Sequence, residues 1–277
     1  MKHLLFPSKT MTSDVLANHN VQILGNQNSP KTLLFAHGFG SDQTSWRLVT
    51  PAFAAEYRLV LFDLPGCGGS KINESERLHH AKLENYAQDI LSICDALDLE
   101  EIQLIAHSVS SMTATLVALK HPNLISRLVF ISACARYIQD QDYGGSFEQL
   151  AADRILNAMA ENYSLWVRQY APSIINTPNQ PLLSEEFSRT LLRLRPDHAF
   201  LTFSMIIQSD YRREVSQLKV PTLILQAYQD PFVSEAASEY LHQVIRGSQL
   251  QWIEAKGHFP QLSNPKAVIE AIRGFIF

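Results

Sequence analysis

The sequence predicts an α/β fold in which a mostly parallel central sheet is flanked by helices. Short, almost continuously apolar runs alternate with stretches of helical periodicity, and such runs are typical of parallel strands covered on both faces. The chain has 277 residues, 46% of them hydrophobic, which is enough to bury a large core. Parallel sheets bind ligands at the carboxyl ends of their strands. We therefore expect the functional residues in loops that follow strands.

Strand and helix alternate along the chain, apart from one long segment. The predicted strands are residues 31–36, 58–63, 102–106, 128–132, 222–226 and 251–254. The predicted helices are residues 44–55, 83–97, 109–119, 235–245 and 265–275. Strands that are connected through helices in this way are expected to be parallel, with right-handed crossovers.

Residues 135–213 interrupt the alternation, because helical patterns recur there, at 147–170 and 185–194, without a convincing strand. Prolines divide the segment into about four short helices, each expected to end before a proline; they are Pro172, Pro178, Pro181 and Pro196. We interpret residues 135–213 as a helical lid over the strand ends, and residues 1–134 and 214–277 as the core. A continuation of the sheet with flanking helices is the alternative.

The overall charge gives no reason to expect a nucleic-acid or membrane partner. Charged residues make up 18% of the chain and the formal net charge is −4, so no extended basic surface is expected. The apolar run at residues 4–6 is shorter than the core of a signal peptide or a membrane span. We therefore expect a cytoplasmic protein. Met11 is a candidate start residue, which would place residues 1–10 outside the fold.

Neither the cysteines nor the histidines have the spacing of a metal site. Three irregularly spaced cysteines form no C-x-x-C pair, and ten histidines include no H-x-x-x-H pair. We expect unpaired thiols, no metal and no cofactor. The glycine-rich residues 63–70 lack a nucleotide-binding fingerprint, since Lys71 stands where its last glycine is needed. We interpret that segment as a structural turn, in which Cys67 has no assigned base and is not a nucleophile.

Ser108 lies at the sharpest predicted strand-to-helix turn. The strand at 102–106 runs directly into it, and a helix rich in small residues follows. A nucleophilic serine in this position needs very small residues two before and two after it, because strand and helix nearly touch. Those residues are Ala106 and Ser110 rather than glycines, so the literal G-x-S-x-G pattern is absent. The alternative is a serine that only caps the helix.

The segment His37–Gly38–Phe39–Gly40 follows another strand and has the glycines of a turn that aims backbone NH groups at an anion. It predicts an oxyanion hole, with the NH groups of Phe39 and Val109 as donors. The NH of Val109 also lies at a helix N-terminus, where the helix dipole favours negative charge. An ordinary glycine-rich turn is the alternative.

Asp230 and His258 also follow predicted strands, and with Ser108 they occur in the chain order serine, acid, histidine. A serine hydroxyl is a weak nucleophile and needs a base to accept its proton. His258 is the candidate base, and Asp230 the acid that orients it. Taken singly, an aspartate before a proline is more often a turn former, and the alternative for His258 is a histidine in a surface loop.

These motifs together resemble the α/β-hydrolase subgroup that contains the bacterial stress-signalling protein RsbQ and the plant strigolactone and karrikin receptors. The resemblance spans nearly the whole chain, and DYGGSFEQL is its most discriminating part. The matching segments are HGFGSDQTSW at 37–46, VLFDLPGCGGS at 60–70, YAQDILSICDALDL at 86–99, AHSVS at 106–110, DYGGSFEQL at 142–150, LILQAYQD at 223–230 and KGHFPQLSNP at 256–265.

The resemblance implies an α/β-hydrolase fold with the same catalytic triad and a lid of about four helices inserted after the sixth strand. It also implies a deep apolar pocket beneath the lid. Candidates for the pocket wall are Phe39, Tyr137, Trp166 and either Phe200 or Phe203.

We therefore expect a serine hydrolase that cleaves an ester or lactone-like bond in a small, largely apolar molecule. One alternative is a ligand sensor with slow hydrolysis that recruits a signalling protein at the lid. Another is carbon–carbon hydrolysis or perhydrolysis by the same triad. Dehalogenase and epoxide hydrolase chemistry is disfavoured, since those relatives carry aspartate where this chain has Ser108. We expect a monomer or weak dimer.

Overall fold

A computed structural model describes residues 9–72 and 79–277. Its centre is a seven-stranded sheet in the order β1-β3-β2-β4-β5-β6-β7, in which β1 is antiparallel to β3 and every other pair is parallel. The predicted mostly parallel α/β fold is confirmed. The strands are β1 (Gln22–Gly25), β2 (Thr32–Ala36), β3 (Arg58–Leu61), β4 (Ile102–His107), β5 (Ile125–Ile131), β6 (Thr222–Gln229) and β7 (Gln249–Lys256).

Helices cover both faces of this sheet and form the segment between β5 and β6. The helices are α1 (Lys9–Asn18), α2 (Leu83–Ala96), α3 (Ser110–Lys120), α4 (Gln149–Glu161), α5 (Tyr163–Ile175), α6 (Pro181–Arg193), α7 (Pro196–Gln208), α8 (Arg212–Val215), α9 (Glu235–Val244), α10 (Pro260–Ser263) and α11 (Pro265–Ile276).

The central strands are buried on both faces because their side chains alternate between two apolar clusters. Every residue of β2 and β4 is buried. Leu34 and Leu104 pack in the cluster that contains α2 and α3. Leu33 and Phe35 pack in the cluster on the other face, which contains Trp46 and the apolar side of α11. The strand ends that precede the predicted site residues therefore rest on a closely packed apolar core.

Four helices, α4 to α7, lie in the segment predicted to be the lid, but the prolines do not all end helices as expected. Pro181 and Pro196 begin α6 and α7, where a missing NH costs nothing. Pro172 lies inside α5, whose last turn continues past it because a proline removes only one hydrogen bond there. Asn162 divides the pattern at 147–170 into two helices, since its side chain accepts the NH of Leu165.

The segment predicted to be the lid begins and ends at neighbouring points of the fold. The NH of Tyr211 donates to the carbonyl of Ala135 over 2.8 Å, and Arg136 forms an antiparallel bridge with Asp210. In the described residues five strands precede this segment, whereas the resemblance placed the lid after the sixth strand; helix α1 comes ahead of β1. Residues 1–8 lie outside the described residues.

Other differences from the sequence analysis are local. Residues 44–55 form two short 3₁₀ turns, Gln43–Trp46 and Thr50–Ala52, instead of one helix, since Pro51 interrupts the pattern. Strand β1 and helices α1 and α10 were not predicted. In the described part of the chain, no helix is long and apolar enough to cross a membrane.

Candidate active site

Ser108 lies at the turn between β4 and α3 with a backbone φ of 56°, a left-handed conformation that costs a non-glycine residue about 1 kcal/mol or more. The strain is held by tight packing, since Ala106 and Ser110 are fully buried. The hydroxyl of Ser110 donates to the carbonyl of His37 over 2.5 Å. The serine that replaces the usual glycine therefore joins this turn to the predicted oxyanion loop.

His258 follows β7 and approaches Ser108 although the two residues are 150 positions apart in sequence. The distance from Nε2 of His258 to Oγ of Ser108 is 2.8 Å. Nδ1 of the same ring is 3.0 Å from each carboxylate oxygen of Asp230. A carboxylate only accepts hydrogen bonds, so Nδ1 carries the proton and Nε2 is free to accept one from the serine. The structure brings all three residues into one line.

Asp230 follows β6 and has a fully buried side chain, which is satisfied on several sides. One oxygen accepts the NH groups of Phe232 and Val233 over 2.8 and 3.2 Å, and the other accepts Nε2 of Gln226 over 3.1 Å. Burial alone raises the pKa of this carboxyl group. The charge and hydrogen bond of His258, together with the Phe232 NH, outweigh burial and hold the pKa below its usual value.

The backbone of His258 makes two hydrogen bonds that hold its loop. The NH of His258 donates to the carbonyl of Ile174 in α5 over 2.9 Å. The carbonyl of His258 accepts Nε2–H of His107, the residue before the candidate nucleophile, over 2.7 Å. Gly257 has φ of 81°, and a Cβ there would lie 1.8 Å from the carbonyl oxygen of Ile175. Only glycine allows the lid and this loop to approach so closely.

His107 is fully buried beside the candidate base, with the two ring centroids 5.0 Å apart. Burial, reinforced by the charge of His258, lowers the pKa of His107 to about 3. Its ring is therefore neutral near pH 7 and adds no positive charge next to His258. Nδ1 of His107 has no partner among the described residues and faces Gly38, where a Cβ would lie 2.6 Å away.

The predicted oxyanion donors are the NH of Val109, directly after Ser108, and the NH of Phe39, in the loop that Gly38 brings close to the serine. Within the described residues, the NH groups of Phe39 and Val109 donate to no protein acceptor. Close approach of the two segments depends on Gly38, where a Cβ would lie 3.0 Å from the Cβ of Ser108. His37 fixes the start of the loop, since Nδ1–H donates to the Gly38 carbonyl over 2.9 Å and Nε2 accepts the NH of Leu64 over 2.9 Å. Two unused donors beside the serine are suited to an oxyanion.

A small apolar cavity, here called the catalytic cavity, opens onto Ser108 and His258. It has about 30 Å³ of space for the centres of water molecules, room for roughly two waters. Three predicted wall residues line it: Phe39, Trp166 and Phe203. Tyr137 does not line this cavity, although its hydroxyl lies 3.3 Å from Ser108 Oγ. Phe200 is 37% exposed and does not line the cavity, so of the two alternatives on α7 the structure selects Phe203.

Further cavity residues were not found by sequence analysis. They are Ile174, Phe187, Leu191, Phe232 and Phe259. Two of them had a usable signal, because Phe232 is two residues from Asp230 and Phe259 follows His258 directly. The others come from lid helices, and nothing local in the sequence indicates which face of those helices turns toward the serine.

The thiols do not offer an alternative nucleophile. Cys67, Cys94 and Cys134 are buried, and burial raises the pKa of each thiol, which keeps them protonated near neutral pH. In residues 9–72 and 79–277, no group of three or more His, Cys, Asp or Glu residues is arranged to hold a metal ion.

Comparison with known proteins finds relatives along almost the whole chain. The sequence matches the Alpha/beta hydrolase family over residues 33–271. The karrikin insensitive 2 receptor CA of Petunia hybrida is 37% identical over 255 residues, which cover 92% of this chain and 94% of that protein. A strigolactone esterase of Arabidopsis thaliana is 33% identical over 261 residues, with 94% and 97% covered. A solved hydrolase from Oleispira antarctica is 30% identical, with a TM-score of 0.90 and 96% and 97% covered.

Proposed function

Because the chain belongs to the alpha/beta hydrolase family and is a hydrolase, we propose that it cleaves an ester or lactone-like bond in a small, largely apolar molecule. The observation that carries this proposal is the hydrogen-bonded line from Ser108 through His258 to Asp230. The esterase among the relatives supports the reaction class, and a lactone is a cyclic ester open to the same attack.

In the proposed mechanism, Oγ of Ser108 attacks the carbonyl carbon while Nε2 of His258 takes its proton. The NH groups of Phe39 and Val109 stabilise the oxyanion. His258 then protonates the leaving alkoxide, and an acyl group remains on Ser108. A water molecule, activated by the same imidazole, attacks that acyl group and restores the serine. Asp230 fixes the tautomer of His258 and stabilises the imidazolium.

The cavity supports the substrate class. Its wall consists mainly of aromatic and aliphatic side chains, and the polar groups among the described residues that line it are the two histidines, Ser108 and the indole NH of Trp166. The small volume favours a small acyl group in this conformation of the lid. A charged substrate would lose its hydration here without gaining an opposite charge.

The test is covalent labelling with a fluorophosphonate, combined with turnover of short p-nitrophenyl esters. Wild type is expected to be labelled and active, Ser108→Ala to lose both, and His258→Ala to lose at least about 10³-fold in turnover. Labelling that persists in Ser108→Ala, or equal rates for His258→Ala and wild type, contradicts the proposal. Carbon–carbon substrates and peracid formation, assayed beside the esters, separate the other reactions open to this triad.

A second candidate function is a ligand sensor with slow hydrolysis that recruits a protein through the lid. Two observations favour it: one relative is named as a receptor, and several large apolar residues are exposed on α4 to α7. Those residues are Leu150, Leu165, Leu182, Leu192 and Phe200. A pull-down with and without ester substrate tests it. Absence of any ligand-dependent partner, together with fast turnover, contradicts it.

A further inference from the structure

A second apolar cavity lies beside the catalytic cavity. This side compartment has about 10 Å³ of space for water centres, at the lower limit of what one water molecule needs. Among the described residues, Phe39 alone lines both cavities. The side compartment is otherwise lined in part by Leu64, Cys67, Leu83, Tyr86, Thr113 and Ile206.

Phe39 is less tightly enclosed than its neighbours. Its side chain is only partly buried, whereas Phe203 and Val109 are 2% and 5% exposed. The ring leans on Phe203, with centroids 5.2 Å apart and planes inclined by 33°. Phe39 also lies in the glycine-flanked loop after β2. Because this ring borders both cavities, we expect its rotation or removal to join them.

The side compartment is suited to hydrocarbon. None of the described residues that line it is Asp, Glu, Lys or Arg. Burial raises the pKa of the Cys67 thiol, so that group is neutral. The hydroxyls of Tyr86 and Thr202 face each other over 3.4 Å, and Nε2 of His198 lies 2.9 Å from the carbonyl of Pro65. A ligand there gains by burial of apolar surface and meets no carboxylate, ammonium or guanidinium group among the lining residues.

We propose that the side compartment becomes a subsite for an alkyl chain of the substrate when the ring of Phe39 is turned aside or removed, and that this ring sets the accepted chain length. The inference rests on the proposed ester hydrolysis. Ser108 lines the catalytic cavity and its neighbour Val109 lines the side compartment, so a chain attached to the attacked carbonyl has a short path between them. With the ring in place, the remaining space holds little more than an acetyl group.

The first experiment compares kcat/KM for p-nitrophenyl acetate, butyrate and hexanoate. Wild type is expected to prefer acetate. Phe39→Ala is expected to raise the ratio of hexanoate to acetate at least about tenfold, since each buried methylene contributes about fourfold. Phe39→Leu, a smaller change for use if the alanine variant is unstable, is expected to raise the ratio less.

The second experiment fills the side compartment with a larger side chain from α3. Thr113 is buried in α3 and lines only that compartment. Adding Thr113→Met to Phe39→Ala is expected to return the ratio toward the wild-type value, whereas Thr113→Val, which keeps the side-chain size, leaves it high. The matched control is Phe187→Ala, which enlarges the catalytic cavity at a residue that does not line the side compartment. Thr113→Met is expected to leave the ratio of that variant unchanged.

The outcomes separate this inference from the proposed function. A chain-length ratio that stays high in Phe39→Ala/Thr113→Met, or that Thr113→Met lowers equally in Phe187→Ala, overturns the subsite. A wild-type protein that shows neither ester turnover nor labelling contradicts the proposed function instead. In that case thermal-shift affinities for 2-octanone and 2-butanone test the subsite: a gain for 2-octanone confined to Phe39→Ala supports it, and equal affinities in all variants overturn it.

Discussion

The backbone NH of His258 donates to the carbonyl of Ile174 over 2.9 Å, so the candidate base is attached to a helix of the lid as well as to the sheet. The adjacent Gly257 packs against the carbonyl of Ile175 in the same helix. The position of the imidazole therefore depends on contacts between two parts of the chain that lie far apart in sequence.

Gly257→Ala is expected to lower turnover by about 10²-fold or more and to destabilise the protein by about 2 kcal/mol or more. The added Cβ would lie 1.8 Å from the Ile175 oxygen, and the backbone has a positive φ. The loop must shift, and a displacement of about 1 Å can cost a factor of this size. Ester kinetics and urea unfolding measure the two effects.

The matched control is Gly247→Ala. Gly247 also has a positive φ, 74°, but a Cβ there meets no atom within 4 Å. It is expected to cost about 1 kcal/mol of stability from backbone strain alone and to keep turnover within a factor of two. Equal losses of activity in the two variants would show that the contact with α5 does not position His258.

Asp230→Asn is expected to lower kcat by about 10⁴-fold while the protein stays folded. An asparagine amide can donate to Nδ1 of His258, which shifts the proton to Nε2 and leaves no acceptor for the serine hydroxyl. Ester kinetics at neutral pH and the melting temperature check this. A loss below about tenfold with intact folding contradicts the assigned role.

The stability difference between wild type and Asp230→Asn is expected to depend on pH. The pKa of Asp230 is lowered in the folded protein, so its contribution is fully present above the unfolded value of about 3.9 and is lost as pH falls through the lower folded value. Urea unfolding at several pH values between 7 and 3 measures it. If the stability difference between the two proteins has already disappeared by pH 5, the lowered pKa of Asp230 is contradicted.

His107→Gln is expected to make the protein less sensitive to mild acid. In wild type the unfolded chain binds a proton on His107 near pH 6.5, whereas the folded chain does so only near pH 3. Stability therefore falls as pH drops from 6.5, by up to about 1.4 kcal/mol per pH unit from this residue. Glutamine does not titrate, and its amide can still donate to the His258 carbonyl. If the unfolding free energies of wild type and His107→Gln fall equally steeply with pH between 6.5 and 4.5, the expectation is contradicted.

Iodoacetamide is expected to leave esterase activity intact in the folded protein. All three thiols are buried and protonated, and the proposed nucleophile is a hydroxyl. Mass spectrometry is expected to find no alkylation before unfolding and three modified cysteines after it. Rapid inactivation with modification of Cys67 alone would instead assign a functional thiol.

The sequence was sufficient for those features that depend on local pattern. Strands β2 and β4 are buried on both faces and therefore appear as apolar runs, while β1 is an exposed edge strand and carries no such run. Ser108, Asp230 and His258 each follow a strand, and their order along the chain predicts the site without any interatomic distance.

What the sequence did not predict depends on contacts between distant residues. The choice between Phe200 and Phe203 is a question of which side of α7 faces the serine, and both residues have the same chemistry. The carbonyl of Ile174 that holds the His258 loop has no side-chain signal at all. The hydroxyl of Ser110 looked like a departure from the glycine pattern, and only its bond to the His37 carbonyl shows what it does.

The two ends of residues 135–213 lie next to each other where Tyr211 contacts Ala135, so this segment leaves the sheet and returns to it at one place. We expect that such a segment can be exchanged as a unit, because a graft joined at the same two points leaves the pairing of β5 with β6 untouched. Chimeras that keep this sheet and carry the helices of a relative would separate what the core contributes to bond cleavage from what the transplanted helices contribute to choosing the molecule that is cleaved.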